Sequence, residues 1–110
     1  MRVLSGYRVM WVMALFDLPV GTKRERTRAT KFRQFLLDEG FEMAQFSVYV
    51  RFTRGREHVE TIMGKIGNAV PPSGKVDVIC FTDKQYEAIT SFRGQFDVEK
   101  PEKPGQLLLL

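Results

Sequence analysis

Few side chains in this 110-residue sequence can do chemistry by themselves. The most informative is Asp17, which closes the run Ala14-Leu15-Phe16-Asp17-Leu18-Pro19. A carboxylate before Leu-Pro ordinarily bonds to nearby backbone amides and shapes a turn. Its other use is as a hard oxygen ligand, because Mg²⁺ is held by one or two carboxylates with waters and substrate phosphates completing an octahedron. Two copies of Asp17 meeting on a dimer axis would make one such site, suited to metal-assisted hydrolysis of a phosphodiester without any histidine. The remaining candidates are poorer. His58 is the only histidine and Cys80 the only cysteine, so a Zn²⁺ site is excluded. His58 is expected to be solvated at the start of a helix, and Ser47 has no histidine partner to activate it.

The second group with a chemical use is a cluster of cations: Lys23, Arg24, Arg26, Arg28, Lys31 and Arg33, with Glu25 as their one opposing charge in that stretch. On a helical wheel they spread over the side opposite Ala29, Phe32 and Leu36. An ordinary exposed helix mixes signs and gains pairs of opposite charge at i, i+4, whereas these like charges repel. Several also sit at the helix N-terminus, where the dipole is already positive. A cost of this kind suggests a polyanionic partner. Nucleic-acid phosphate is the expected one, bound with little sequence preference because no base-reading motif accompanies the cluster. The net charge of +4 and pI of about 9.5 agree, and the charge is uneven. Residues 1–66 carry 12 Lys or Arg against 7 Asp or Glu, and the rest carry 5 against 6. Phe46, Tyr49 and Phe52 have rings that stack on bases, but aromatic residues in strands more often belong to a core.

The elements that must position these groups follow from periodicity. Arg8 to Phe16 is apolar almost throughout and stopped by Pro19, which predicts a strand buried on both faces. Gly21-Thr22 supplies a turn and an N-cap for a helix over Lys23 to Glu39, ended by Gly40. Phe41 to Ala44 and Ser47 to Phe52 predict two strands joined tightly around Gln45-Phe46 or bent there by a bulge. Val59, Ile62, Met63 and Ile66 mark one apolar face of a second helix. Lys75 to Phe81 predicts another strand with two buried faces, Thr82-Asp83-Lys84-Gln85 a capped short helix through Ala88, and Ile89 to Phe92 an edge strand.

Strand, helix, strand, strand, helix, strand is the order of the α+β ferredoxin-like βαββαβ sandwich. Right-handed connections place both long helices on one face of the sheet, so an open face lined by apolar strand residues needs a cover. A second copy of the chain is the economical one, predicting a homodimer packed through the open sheet faces. Residues 1–98 read as the folded domain. Residues 99–110 read as a linker with Pro101 and Pro104, leading to the tail Gln106, Leu107, Leu108, Leu109 and Leu110. A single cysteine implies a reducing compartment, and Val9 to Phe16 is too short to span a bilayer. The expectation is a cytoplasmic protein with no targeting segment and no membrane partner.

Leu15-Phe16-Asp17-Leu18-Pro19, then Phe32-Arg33-Gln34-Phe35-Leu36, Gly40-Phe41, Gln45-Phe46-Ser47-Val48-Tyr49 and Thr82-Asp83-Lys84-Gln85-Tyr86 together resemble the CRISPR-associated endoribonuclease family called Cas two. The similarity runs from about Arg8 to Tyr86 and is greatest to members accompanying type II systems. The resemblance implies a ferredoxin-like homodimer with Asp17 as metal-binding and catalytic residue and Mg²⁺ as cofactor. It also implies a role in CRISPR adaptation: bridging dimers of the CRISPR integrase subunit and holding protospacer duplex DNA for insertion as a spacer. By the same analogy the tail forms an extra C-terminal strand against the sister protomer or the integrase.

Two functions remain in competition at this point. One is a Mg²⁺-dependent endonuclease acting on single-stranded RNA or on DNA through paired Asp17 carboxylates. The other is a non-catalytic scaffold that binds duplex DNA through the basic helix. An RNA-recognition domain on the same fold ranks last, since Ser47 to Phe52 lacks the glycine-containing RNP1 pattern.

Overall fold

The computed structural model describes residues 10–95. Residues 8 and 9 of the expected first strand, the boundary at residue 98 and the tail Gln106–Leu110 lie outside the described residues.

The chain runs β1 (Met10–Asp17), α1 (Lys23–Asp38), β2 (Glu42–Gln45), β3 (Val48–Thr53), α2 (Arg56–Ala69), β4 (Lys75–Thr82) and the single-turn α3 (Asp83–Glu87). The four strands form one sheet in the order β2-β3-β1-β4, with every neighbouring pair antiparallel. This is the ferredoxin-like arrangement: the two helical crossovers join β1 to β2 and β3 to β4, and β1 lies between β3 and β4.

Alternation along the strands sorts side chains between two faces. Val12, Ala14 and Phe16 of β1, Tyr49 of β3, and the partly buried Val76, Val78 and Cys80 of β4 pack against Phe32 and Leu36 of α1 and Val59, Ile62 and Ile66 of α2. Leu36 and Ile62 are fully buried, so truncating either to alanine costs about 2–5 kcal/mol. Thr53, 1% exposed, keeps its hydroxyl satisfied by donating to the Met10 carbonyl at 2.9 Å.

The opposite face is not covered along its length. The ladders put Trp11, Met13, Leu15 and Asp17 of β1 on it, beside Val48, Val50 and Phe52 of β3 and Lys75, Asp77, Ile79 and Phe81 of β4. Phe52 and Ile79 are each about half exposed. The expectation that β1 and β4 are buried on both faces is therefore corrected for the single chain: each is shielded along the helix side, and on the open face only at the end where Tyr86 covers Trp11 and Phe81. Met63, expected in the apolar stripe of α2, is 38% exposed, at the margin of the buried stripe Val59, Ile62 and Ile66.

α3 returns over the open face at the end remote from Asp17. Its N-terminus is a capping box, Thr82 accepting from the Gln85 amide and Gln85 accepting from the Thr82 amide. Tyr86 stacks on Trp11, and Asp83 accepts the Trp11 indole N–H at 2.9 Å. The edge strand expected at Ile89 to Phe92 is absent; these residues are irregular and exposed, and the Ile89 amide closes α3 by donating to Tyr86. Docking of α3 on Trp11 carries the chain above the sheet instead of along the β4 edge.

Two further corrections concern the β2–β3 hairpin. The turn is Phe46-Ser47, with Ser47 in the left-handed region at φ 62° and a register irregularity between Met43 and Gln45. Ser47 thus ends the turn and does not begin the strand, while Phe46 at the tip is 90% exposed and outside the core. Tyr49 is in the core as an aromatic strand residue should be. Among the described residues no helix is long and apolar enough to cross a membrane.

Candidate active site and nucleic-acid interface

Asp17 is the last residue of the central strand, and alternation from the buried Phe16 directs it to the open face, where it is exposed. Three restraints fix this end of β1. The Phe16 amide donates to the Ser47 carbonyl at 3.0 Å, tying the strand to the hairpin turn. Leu18 packs against the core, so the chain folds back directly after the carboxylate. Gly74, just before β4, lets the Pro71–Gly74 turn approach Leu18; a Cβ there would stand 2.7 Å from the Leu18 side chain and 3.1 Å from the Pro71 carbonyl oxygen.

Across the β1–β4 ladder, Asp17 is in register with Lys75 and Leu15 with Asp77. Lys75 Nζ lies 3.6 Å from the Asp77 carboxylate. Leu15, Phe16, Asp17, Lys75 and Asp77 line one shallow depression at the polar end of the open face. Sequence reasoning passed over Lys75 and Asp77, reading them only as strand residues. Their alternate spacing was the available signal, but it needs the β1–β4 register to connect them with Asp17.

The donor chemistry here fits Mg²⁺, since exposed carboxylate oxygens are hard ligands and neither imidazole nor thiolate shares the depression. One chain, however, supplies too few ligands for a closed site: among the described residues no three His, Cys, Asp or Glu groups converge. Burial pushes the Cys80 thiol above its ordinary range, which makes it a poor nucleophile, and it faces the helix layer away from Asp17.

Of the basic residues of α1, Lys23, Arg24, Arg26 and Lys31 are exposed, whereas Arg28 and Arg33 are half-buried beside the stripe Ala29, Phe32 and Leu36. Thr22 caps the helix by accepting from the Glu25 amide at 3.1 Å, and Glu25 reciprocates at 2.9 Å. Glu25 thereby serves the helix terminus, offsetting the positive end of the dipole. Lys23, Arg26 and Lys31 share a shallow groove with Thr27 and Thr30. Arg26 donates to the Val20 carbonyl at 3.2 Å and Arg33 to the Thr30 hydroxyl at 3.1 Å. Arg24 is exposed, while Arg28 is half-buried against Leu18, Pro19, Pro71 and Pro72. Among the described residues none of these six cations is in an ion pair. The positive face is therefore available, with Arg28 bent towards the loop after Asp17.

α1 lies in the helix layer, whereas Asp17 points to the other side of the sheet. The cations and the carboxylate meet only around the loop 18–22, so the two candidate sites are adjacent but distinct.

Comparison with known proteins bears on both. Residues 10–89 match the family model described as CRISPR associated protein Cas2. The chain is 49% identical over 104 residues to a protein of Paracidovorax avenae named CRISPR-associated endoribonuclease Cas2, covering 94% of this chain and 96% of the relative. A protein of the same name from Flavobacterium psychrophilum is 45% identical over 107 residues, covering 97% and 92%. A third, from Parvibaculum lavamentivorans, is 38% identical over 100 residues, covering 91% and 99%.

Proposed function

The chain belongs to the CRISPR associated protein Cas2 family, and from that premise we propose that it is a CRISPR adaptation protein whose homodimer binds protospacer duplex DNA, bridges integrase dimers and cleaves phosphodiesters at Asp17. The observation that carries the cleavage reading is the position of Asp17: an exposed carboxylate ending the central strand, on an apolar sheet face that a second copy would cover. The relatives' name, endoribonuclease, supports the reaction class and makes single-stranded RNA the first substrate to try.

In this reading the unpaired cations of α1 take up backbone phosphates and hold the polymer across the dimer. Asp17 and its symmetry mate face the scissile group from the sheet. Their carboxylates would hold Mg²⁺, which would supply the positive charge that a phosphodiester needs as negative charge develops on its oxygens. Asp17 also accepts a hydrogen bond from the attacking water and so orients it. The tail Gln106–Leu110 docks on the sister protomer or on the integrase, and the protein works in the cytoplasm.

The test is cleavage of labelled single-stranded RNA and duplex DNA by the protein and by Asp17→Ala, each with Mg²⁺ and with EDTA, with binding recorded in parallel. Cleavage that vanishes in the variant and in EDTA, with binding retained, is the expected result. Cleavage equal in both proteins overturns the assignment of Asp17.

A second reading has its own support. The six cations of α1, none of them in an ion pair among the described residues, suffice for a DNA-binding scaffold that never uses Asp17. Salt-sensitive duplex binding with no metal-dependent cleavage of either polymer is its signature.

A further inference from the structure

We propose that Lys75 is the phosphate-contacting cation of the Asp17 site and that Asp77 is the residue that positions it. The proposal rests on the reading that a nucleic acid reaches Asp17.

A carboxylate facing a phosphodiester repels it, so a site built around Asp17 needs a cation of its own on the same surface. None of the six basic residues of α1 meets that need, because α1 packs on the helix side of the sheet and Asp17 points to the open side. Lys75 does meet it. It stands opposite Asp17 in the β1–β4 register, and residues paired in this way place their side chains on the same face about 4.5–5.5 Å apart at Cβ. The depression at this end of the sheet contains Lys75 as its one cation, together with Asp17 and Asp77.

Asp77, two residues further along β4, shares the face and holds the Lys75 ammonium at 3.6 Å. With the side chains 75% and 64% exposed, this ion pair contributes little to stability. Its consequence is positional. Lys75 is drawn to Asp77, leaving the Asp17 oxygens free for another cation, while the ammonium, with three donors, keeps donors for a phosphate in the depression that it lines.

The experiment measures the affinity of single-stranded RNA across a salt series in an Asp17→Asn background, where binding is separated from cleavage. Adding Lys75→Ala is expected to lower the slope of log affinity against log salt by about 0.7 for each phosphate no longer neutralised, and Lys75→Arg to restore it. In the protein with Asp17 intact, Asp77→Asn is expected to raise KM several-fold with kcat retained, and Asp77→Glu to reverse this. Loss of dimer by light scattering in Lys75→Ala, with the salt slope unchanged, would show an interface contact and overturn the proposal. So would an unchanged slope in an intact dimer. If the protein cleaves nothing but Lys75→Ala still flattens the slope, the nuclease reading fails and the Lys75 assignment stands.

Discussion

The indole of Trp11 stacks on the ring of Tyr86 with centroids 3.8 Å apart and planes 10° from parallel, clamping α3 onto one end of the open sheet face. The same indole donates to Asp83 and meets the edge of Phe52 at a centroid distance of 5.2 Å. α3 thus closes the end of the face remote from Asp17 and leaves the Asp17 end uncovered.

Removing the Tyr86 ring should therefore expose Trp11 and Phe81 together. Tyr86→Ala is expected to lower stability by about 1–3 kcal/mol, combining the ring's burial with a stacking contribution of about 0.5–1.5 kcal/mol. Trp11→Phe, which also removes the bond to Asp83, should show coupling to Tyr86→Ala in a double-mutant cycle. Urea unfolding of the single and double variants checks both. Additive effects would mean that the stack does not hold α3.

The uncovered half of the face gives a second prediction. Ile79 is about half exposed in the single chain, so Ile79→Lys should leave each protomer folded while placing an unpaired charge in a dimer contact. A fall from dimer to monomer by light scattering, with unchanged circular dichroism, is expected. A dimer that survives Ile79→Lys would place the contact elsewhere.

Reversing charge on α1 tests the nucleic-acid face separately from the carboxylate. Arg24→Glu, Arg28→Glu and Lys31→Glu together should abolish duplex binding at moderate salt. Each single change should reduce the salt slope by about 0.9 if that residue contacts a phosphate. Arg28 is the informative one, because its packing against Pro71 and Pro72 leaves less of it for DNA. Affinity measured across a salt series distinguishes contact from mere proximity.

Gly74 supports the Asp17 end through space. Gly74→Ala pushes a methyl group against Leu18 and the Pro71 carbonyl, and overpacking of this kind costs about 1–3 kcal/mol. The expected outcome is a lower unfolding midpoint and reduced cleavage with duplex affinity nearly unchanged, read from unfolding curves and the two nucleic-acid assays side by side.

Much of this arrangement was legible in the residues. The N-cap at Thr22, the stop at Gly40 and the stripe Val59, Ile62, Ile66 are local signals, and each element formed as its pattern required. The unpaired face could be inferred because a βαββαβ order puts both long helices on one side. What failed were features decided by tertiary contact. The apolar Ile89 and Phe92 looked like strand residues, yet the clamp of α3 on Trp11 leads that segment away from an edge. Phe46 looked like core, but a hairpin turning at Ser47 leaves it at the tip. At the candidate site, Asp17 stood out because the sequence punctuates it with Leu-Pro. Lys75 and Asp77 did not, since their proximity to it exists only through strand register.

The most direct test of the central claim, that two Asp17 carboxylates make one site, is a subunit-mixing experiment. The protein is allowed to exchange subunits with increasing amounts of Asp17→Ala, and RNA cleavage is measured at a fixed concentration of the unaltered chain. A shared site predicts that cleavage falls with the fraction of unaltered homodimers, approaching zero in excess variant. Cleavage per unaltered chain that stays constant would mean that each protomer carries a complete site, and would contradict the claim.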